Sequence, residues 1–308
     1  VLEKALNSLP VELEEVRPGR TVAVHKRGVA GSRKTLIFVH GSAASLVQWQ
    51  QQIEAFAATG DTNVVAYDAV GCGRSPKPIG WDLYSTEALY DDLKAVISRH
   101  GGAQGHAVTL VAHSAGCCHV LRFAAEAAGV SDPGVETTLP KPAAAPTALV
   151  LIAPLIAVPS SVAIFRLPVF ALELMRPLLS GGFAERALHP KTREAHTEAH
   201  RELLLLSEAT SGANPMHMCR AYYRQLCVPA AEVFAGCTAP TLIVGGEGDR
   251  LAPVELHASS LSKAIGPAAR ELLILPDAAH QVMQEQPEAV RSAIAAFIAG
   301  AESAPSLI

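Results

Sequence analysis

Val108-Thr109-Leu110-Val111-Ala112-His113-Ser114-Ala115-Gly116 is the stretch that decides the fold. An apolar, β-branched run stops at a serine that has a small residue two positions away on either side. An alanine-rich helical pattern follows, through Ala128. A serine on such a strand-to-helix turn is held in a strained backbone conformation with its hydroxyl presented at the strand end, and small neighbours keep the turn free of collisions. The usual pattern is G-x-S-x-G. Ala112 stands in place of the first glycine, which adds only a methyl group. A helix-capping serine would carry the same local pattern, so the rest of the chain must arbitrate.

Working outward, short β-rich runs alternate with amphipathic helices. The pattern predicts strands at Val11–Val16 and Thr21–His25, joined by Arg17-Pro18-Gly19-Arg20, and buried strands at Thr35–Val39 and Asn63–Tyr67. Further strands are expected at Ala148–Ala153, Thr241–Val244 and Glu271–Leu275. Between them, Trp49, Ile53, Phe56 and Ala57, then Leu89, Leu93, Val96 and Ile97, and finally Val290, Ile294, Phe297 and Ile298 recur in steps of four, three and one. Those steps mark helices with one buried stripe. Pro287 is well placed in the first turn of the last one. The alternation predicts an α/β fold with a mostly parallel central sheet flanked by helices on both faces.

Two stretches interrupt the rhythm. Gly129–Pro146 is rich in Pro, Ala and Gly and reads as a surface excursion. Residues 155–235 are too long for one crossover and hold several helical patterns, so they read as an inserted helical cap. This divides the chain into a core (1–154), the cap (155–235) and a second part of the core (236–308). The apolar run Val162–Leu172 inside the cap could line a pocket, pack the cap onto the core, or do both.

A serine hydroxyl is a poor nucleophile at neutral pH and needs a base, and the base needs a partner that fixes its tautomer. Parallel strands end on one edge, so these groups should follow later strands. Asp249 lies just past Thr241–Val244 in Gly245-Gly-Glu-Gly-Asp249, and His280 just past Glu271–Leu275 in Pro276-Asp-Ala-Ala-His280. The expected catalytic set is therefore Ser114, Asp249 and His280, in the chain order Ser, Asp, His. Glu247 is the competing acid but lies nearer its strand. Asp277 is too close to His280 in sequence to face it. His113 reads as a hydrogen-bonded structural residue, and His40 as a neighbour of the site rather than its base. A tetrahedral intermediate also needs donors for its oxyanion. The backbone N–H groups of Ala115 and of Ser42, with Ala43 as the alternative to Ser42, are expected to supply them, and Gly41 lets that loop turn.

Phe38-Val-His-Gly41, Asp68-Ala-Val-Gly-Cys-Gly-Arg-Ser75, Ala112-His-Ser-Ala-Gly116, Gly248-Asp249 with Pro253, and His280 ahead of Glu285 and Pro287 resemble the α/β-hydrolase superfamily. The resemblance runs from about Leu13 to Ile298 and is closest to abhydrolase-type serine esterases and lipases with a helical cap. It implies the α/β-hydrolase fold, the Ser114–Asp249–His280 triad and the oxyanion donors named above. It also implies hydrolysis of a carboxylic ester through an acyl-serine intermediate, without a cofactor or metal. The apolar cap suggests a small-molecule substrate with a hydrophobic acyl group. Serine-based relatives on this fold include thioesterases, acyltransferases and carbon–carbon bond hydrolases. A small-molecule receptor with a retained triad is the non-enzymatic alternative, which turnover would separate from an enzyme.

Composition sets the outer limits. About half of the 308 residues are apolar (49%) and 18% are charged, which suits a large buried core. A formal charge of −4 with no basic run argues against nucleic-acid binding. The most apolar region, Ala148–Leu179, is broken by Pro154, Pro159, Arg166 and Pro168, so no membrane span is expected, while peripheral membrane contact stays open. Six scattered cysteines read as buried thiols of a reducing, intracellular compartment. Cys117, Cys118 and His119 read as packing residues. His196 and His200 read as a solvated helix face rather than a metal site, because no third ligand is recognisable.

Overall fold

In a computed structural model the apolar runs pair into one eight-stranded sheet. The strands are β1 (Glu12–Arg17), β2 (Arg20–Arg27), β3 (Lys34–Val39), β4 (Asn63–Asp68), β5 (Ala107–His113), β6 (Ala148–Ile152), β7 (Thr241–Gly246) and β8 (Ala269–Leu275). Their order is β1-β2-β4-β3-β5-β6-β7-β8. The β1–β2 and β2–β4 pairings are antiparallel, and every pairing from β4 to β8 is parallel. The structure describes residues 1–102, 105–194 and 196–303; positions 103, 104, 195 and 304–308, which fall within the expected domain limits, lie outside the described residues.

The central strands are apolar throughout because both faces of the sheet are covered, and period-two alternation sorts their side chains between two cores. Ile37, Val39, Leu110, Leu149, Leu151 and Ile243 face one core, with α3 (Thr86–His100), α4 (Gly116–Ala127) and α11 (Ala258–Ile265) packed over it. Leu36, Phe38, Val111, Val150, Leu242 and Val244 face the other, which is closed by α1 (Leu2–Ser8), α2 (Gln50–Ala58), α12 (Val282–Glu285) and α13 (Pro287–Ser303). Each fully buried Leu, Ile or Phe contributes about 1.5–3 kcal/mol of transfer free energy, so these two layers carry most of the stabilisation. The helix expected from the stripe Trp49, Ile53, Phe56 and Ala57 is preceded by a 3₁₀ turn, Leu46–Trp49, and begins as α2 at Gln50. Ser45 caps the turn by accepting from the Val47 N–H, and its own hydroxyl is held by Asp68.

The antiparallel edge is pinned by charge. Gly19 adopts φ +71° in the β1–β2 turn, and Arg17 and Arg20 on either side of it both bond the buried carboxylate of Asp92 on α3. Residues 129–146 contain neither helix nor strand, in line with the surface excursion read from their composition. Side chains of the core anchor this loop. Asp91 accepts from the Thr138 N–H and hydroxyl, Lys94 donates to the Leu139 carbonyl, and Arg122 pairs with Asp132 at 2.7 Å.

Between β6 and β7 the chain forms a 3₁₀ segment (Ser160–Arg166) and the helices α5 (Val169–Leu174), α6 (Arg176–Ala187), α7 (Pro190–Arg193), α8 (Glu198–Gly212), α9 (Met216–Gln225) and α10 (Ala231–Ala235). Leu172 is fully buried, whereas Phe170 is 71% exposed, so the apolar run Val162–Leu172 is divided between packing and surface. No described helix is long and apolar enough to cross a membrane. The parallel order leaves the ends of β3, β5, β7 and β8 on one edge, beneath these helices. For such sheets that edge is where ligands bind.

Candidate active site

Ser114 follows β5 immediately and has φ +52°, a left-handed conformation that non-glycine residues seldom adopt. Three backbone bonds over-determine it: its N–H donates to the Ile152 carbonyl (2.9 Å) and its carbonyl accepts from Cys117 (3.0 Å) and Leu155 (3.3 Å). Glycines beside the turn are required by close approach. A methyl group on Gly116 would lie 2.6 Å from the His40 carbonyl oxygen, and one on Gly41 would lie 2.9 Å from the Ser114 Cβ. Ala112 is completely buried in the ladder between β3 and β6, with room for its methyl.

Asp249 and His280 arrive at the same point from β7 and β8. The Asp249 Oδ1 accepts the N–H groups of Leu251 and Ala252, both at 2.8 Å, which fixes the carboxylate. Its Oδ2 lies 2.8 Å from the His280 Nδ1. The His280 Nε2 lies 2.9 Å from the Ser114 Oγ. The carboxylate can only accept, so Nδ1 carries the proton and Nε2 turns its lone pair to the hydroxyl. All three residues are at most 5% exposed. A hydroxyl held by an imidazole that is itself held by a carboxylate can lose its proton as it attacks an electrophilic carbon.

The competitors are placed elsewhere. Glu247 is exposed, and Asp277 pairs with Lys191 at 2.7 Å. His113 donates from Nε2 to the His280 carbonyl (2.9 Å), so it supports the loop of His280. His40 donates from Nδ1 to the Gly41 carbonyl and accepts the Ala69 N–H, bracing the loop that carries Ser42. Ser42 lines the cavity above Ser114, its hydroxyl 3.0 Å from that of Tyr222. Ala115 follows Ser114 directly and precedes α4. Cys117, Cys118 and His119 are buried, and His119 stacks on Tyr90. His196 precedes α8, whose N-cap is Thr197, and pairs with Glu194, so it shares no helix face with His200. Among the described residues, no group of three or more His, Cys, Asp or Glu is arranged to hold a metal ion.

Burial keeps three of these histidines neutral. It lowers the pKa of His40, drives that of His113 well below the ordinary range with added repulsion from His280, and brings His119 down to about 3. Below pH 6.5 the unfolded chain therefore takes up protons that the folded chain refuses. Folding stability is complete above that pH and falls as the pH drops, by about 1.4 kcal/mol per pH unit for each such histidine. Urea melts at pH 7, 6 and 5 should show this loss, and His119→Phe should reduce the slope by one proton; an unchanged midpoint across that range would contradict the assignment.

Glu285 is a residue whose part in the site the sequence did not reveal. One oxygen of its carboxylate accepts the Ala279 N–H, beside His280, while the other accepts the His189 N–H and the Thr192 hydroxyl, from the segment between β6 and β7. The Gln281 N–H donates to the Ala187 carbonyl nearby. The loop of His280 and the helices above it are thus tied together. Over Ser114 and His280 those helices enclose a cavity of about 280 Å³, walled by Leu155, Val162, Phe165, Leu179, Phe183 and Met216 among others.

Protein ABHD8 of Homo sapiens is 28% identical over 293 residues, covering 92% of this chain and 60% of that protein, and the Mus musculus protein matches to the same extent. The chain thus spans about 60% of the length of these relatives. Among solved structures, a thermophilic esterase from Thermogutta terrifontis superposes with a TM-score of 0.72 at 19% identity, covering 96% of this chain and 99% of that one. A bromoperoxidase from Bacillus anthracis gives 0.73 at 16% identity, with 94% and 100% covered. Residues 36–293 match the model of the alpha/beta hydrolase family. That match spans every strand from β4 to β8 and all three residues of the hydrogen-bonded set, and the chain belongs to the alpha/beta hydrolase family.

Proposed function

We propose that the chain is a serine hydrolase of carboxylic esters, with Ser114 as nucleophile, His280 as general base and acid, and Asp249 as the group that orients and stabilises the imidazole. The observation that carries this reading is the relay of 2.9 and 2.8 Å from the Ser114 Oγ through His280 to Asp249, at the floor of an apolar cavity. Ser114 attacks the ester carbonyl while the His280 Nε2 takes its proton. The oxyanion is received by the N–H groups of Ala115 and Ser42. Collapse of the intermediate breaks the bond to the alkoxy oxygen, which leaves as the alcohol with the proton from His280. Water, deprotonated by His280, then attacks the acyl-serine and releases the acid.

The neutral His113 helps, because a second cation 4.8 Å from the His280 ring would oppose formation of the imidazolium. Residues 155–235 act as the cap, and their apolar side chains receive the hydrophobic part of the substrate, for which the acyl group is the natural candidate. A fluorophosphonate tests the nucleophile directly. Intact mass spectrometry should find one adduct per chain on the unmodified protein and none on Ser114→Ala. An unmodified protein that stays unlabelled under conditions that label another serine esterase would sink the reading. A receptor would bind such ligands with little turnover, so multiple-turnover release of an aryl alcohol separates the two.

A further inference from the structure

Next to the main cavity lies a second, smaller chamber of about 50 Å³. The two share wall residues, among them Ser42, Ala43, Ala44, Ser211, Tyr223 and Gln281, so the chamber adjoins the main cavity along the loop that follows β3 and reaches towards α8. Its chemistry differs from that of the main cavity. Gln48 and Ser207 line it, and Gln281 stands between the two spaces. Each of these three residues is 5–6% exposed. Both amide atoms of Gln48, the hydroxyl of Ser207 and the carbonyl oxygen of Gln281 are buried without a hydrogen-bond partner. Gln48 also borders an outer groove, but its amide atoms are sealed from solvent. Among the described residues that form the chamber, none carries a charge.

Buried polar atoms are almost always paired, and four orphans on three residues that line one small space point to an occupant that pairs them. The required chemistry follows from the inventory: Gln48 offers both a donor and an acceptor, Ser207 can serve as either, and Gln281 offers an acceptor. A carboxylate or phosphate would meet acceptors without a compensating cation. An alkyl group would leave every orphan unpaired. One water needs about 10–15 Å³ of such space, so the chamber holds a group of a few heavy atoms. Resting on the hydrolase reading above, we propose that this chamber is a specificity subsite for a short, neutral hydrogen-bonding group, a hydroxyl or a carboxamide, on the arm of the ester that lies along Ser42–Ala44. The substrate is then an ester with two unlike arms. One is apolar and fills the main cavity; the other is short and polar and pairs with Gln48, Ser207 and Gln281.

The test separates binding from turnover. On Ser114→Ala protein, ligand-observed NMR compares hexyl 2,3-dihydroxypropyl ether with hexyl propyl ether, which lacks both hydroxyls. The diol should bind at least 10-fold more tightly. Adding Gln48→Leu or Ser207→Ala should bring that preference to threefold or less and leave the plain ether unchanged. Two separate variants guard against a misfolded protein, and neither changes a residue of the relay. Equal binding of the two ethers, or a preference that survives both substitutions, overturns the subsite and leaves the chamber as a place for ordered water. In parallel, the Ser114-containing protein is assayed on 2,3-dihydroxypropyl hexanoate and propyl hexanoate. Turnover of both at equal kcat/KM refutes the subsite but not the hydrolase, whereas diol-selective binding without turnover of either ester refutes the hydrolase but not the subsite.

Discussion

Ser114→Ala should lower kcat on an aryl ester by about a million-fold, and Asp249→Asn by about ten-thousand-fold, the scale on which triad enzymes respond to loss of the nucleophile or of the orienting carboxylate. The two effects differ in cause. Alanine removes the attacking oxygen. Asparagine keeps the shape, but its amide NH₂ can donate to the His280 Nδ1 and favour the tautomer that turns a proton, rather than a lone pair, towards Ser114. A relay that acts as a unit predicts that Ser114→Ala combined with His280→Ala is no worse than Ser114→Ala alone. Single-turnover and steady-state assays of the four proteins would check this. A Ser114→Ala protein that kept more than a hundredth of the kcat would remove the serine from the mechanism.

Gly246→Ala should impair the site without touching any of its side chains. Gly246 ends β7, and a methyl there would lie 2.7 Å from the Ala278 carbonyl oxygen and inside the contact radius of that of Ala279. Both obstacles are backbone, which cannot rotate away, so the loop must shift, and it carries His280 at its next residue. The Asp249–His280 and His280–Ser114 distances open together, and a displacement of about 1 Å at a reacting group costs about 100-fold in rate. Overpacking of this kind also costs about 1–3 kcal/mol in stability. Gly181→Ala is the control: this glycine lies on α6 with nothing within 4 Å of the added methyl. Alanine there should leave kcat unchanged and stabilise the helix by up to about 1 kcal/mol. Thermal melts and kcat for both variants decide the matter. A Gly246→Ala protein with normal kcat would show that the loop position is not critical.

The parts of the fold that depend on local periodicity could be read directly. Apolar runs such as Thr35–Val39 and Val108–Ala112 specify strands covered on both faces, and the stripe Leu89–Leu93–Val96–Ile97 specifies a helix packed on one side, because both patterns follow from the angular spacing of side chains along the chain. The meeting of Ser114, Asp249 and His280 was legible for a related reason: each follows a strand, and parallel strands end together. Where the pattern misled, a local cap was responsible. His196 and His200 have helical spacing, but Thr197 begins the helix after His196, so the pair shares no face.

Other features belong to the tertiary structure alone. Nothing near Glu285 in sequence indicates that its carboxylate binds both the neighbour of His280 and a segment about 90 positions earlier. Gln48, Ser207 and Gln281 look like ordinary polar residues until the fold places them around one small chamber. Side-chain periodicity is a property of neighbouring residues and is therefore written in the sequence. Hydrogen-bond satisfaction and cavity shape depend on distances between residues far apart in the chain, which packing of the two cores decides.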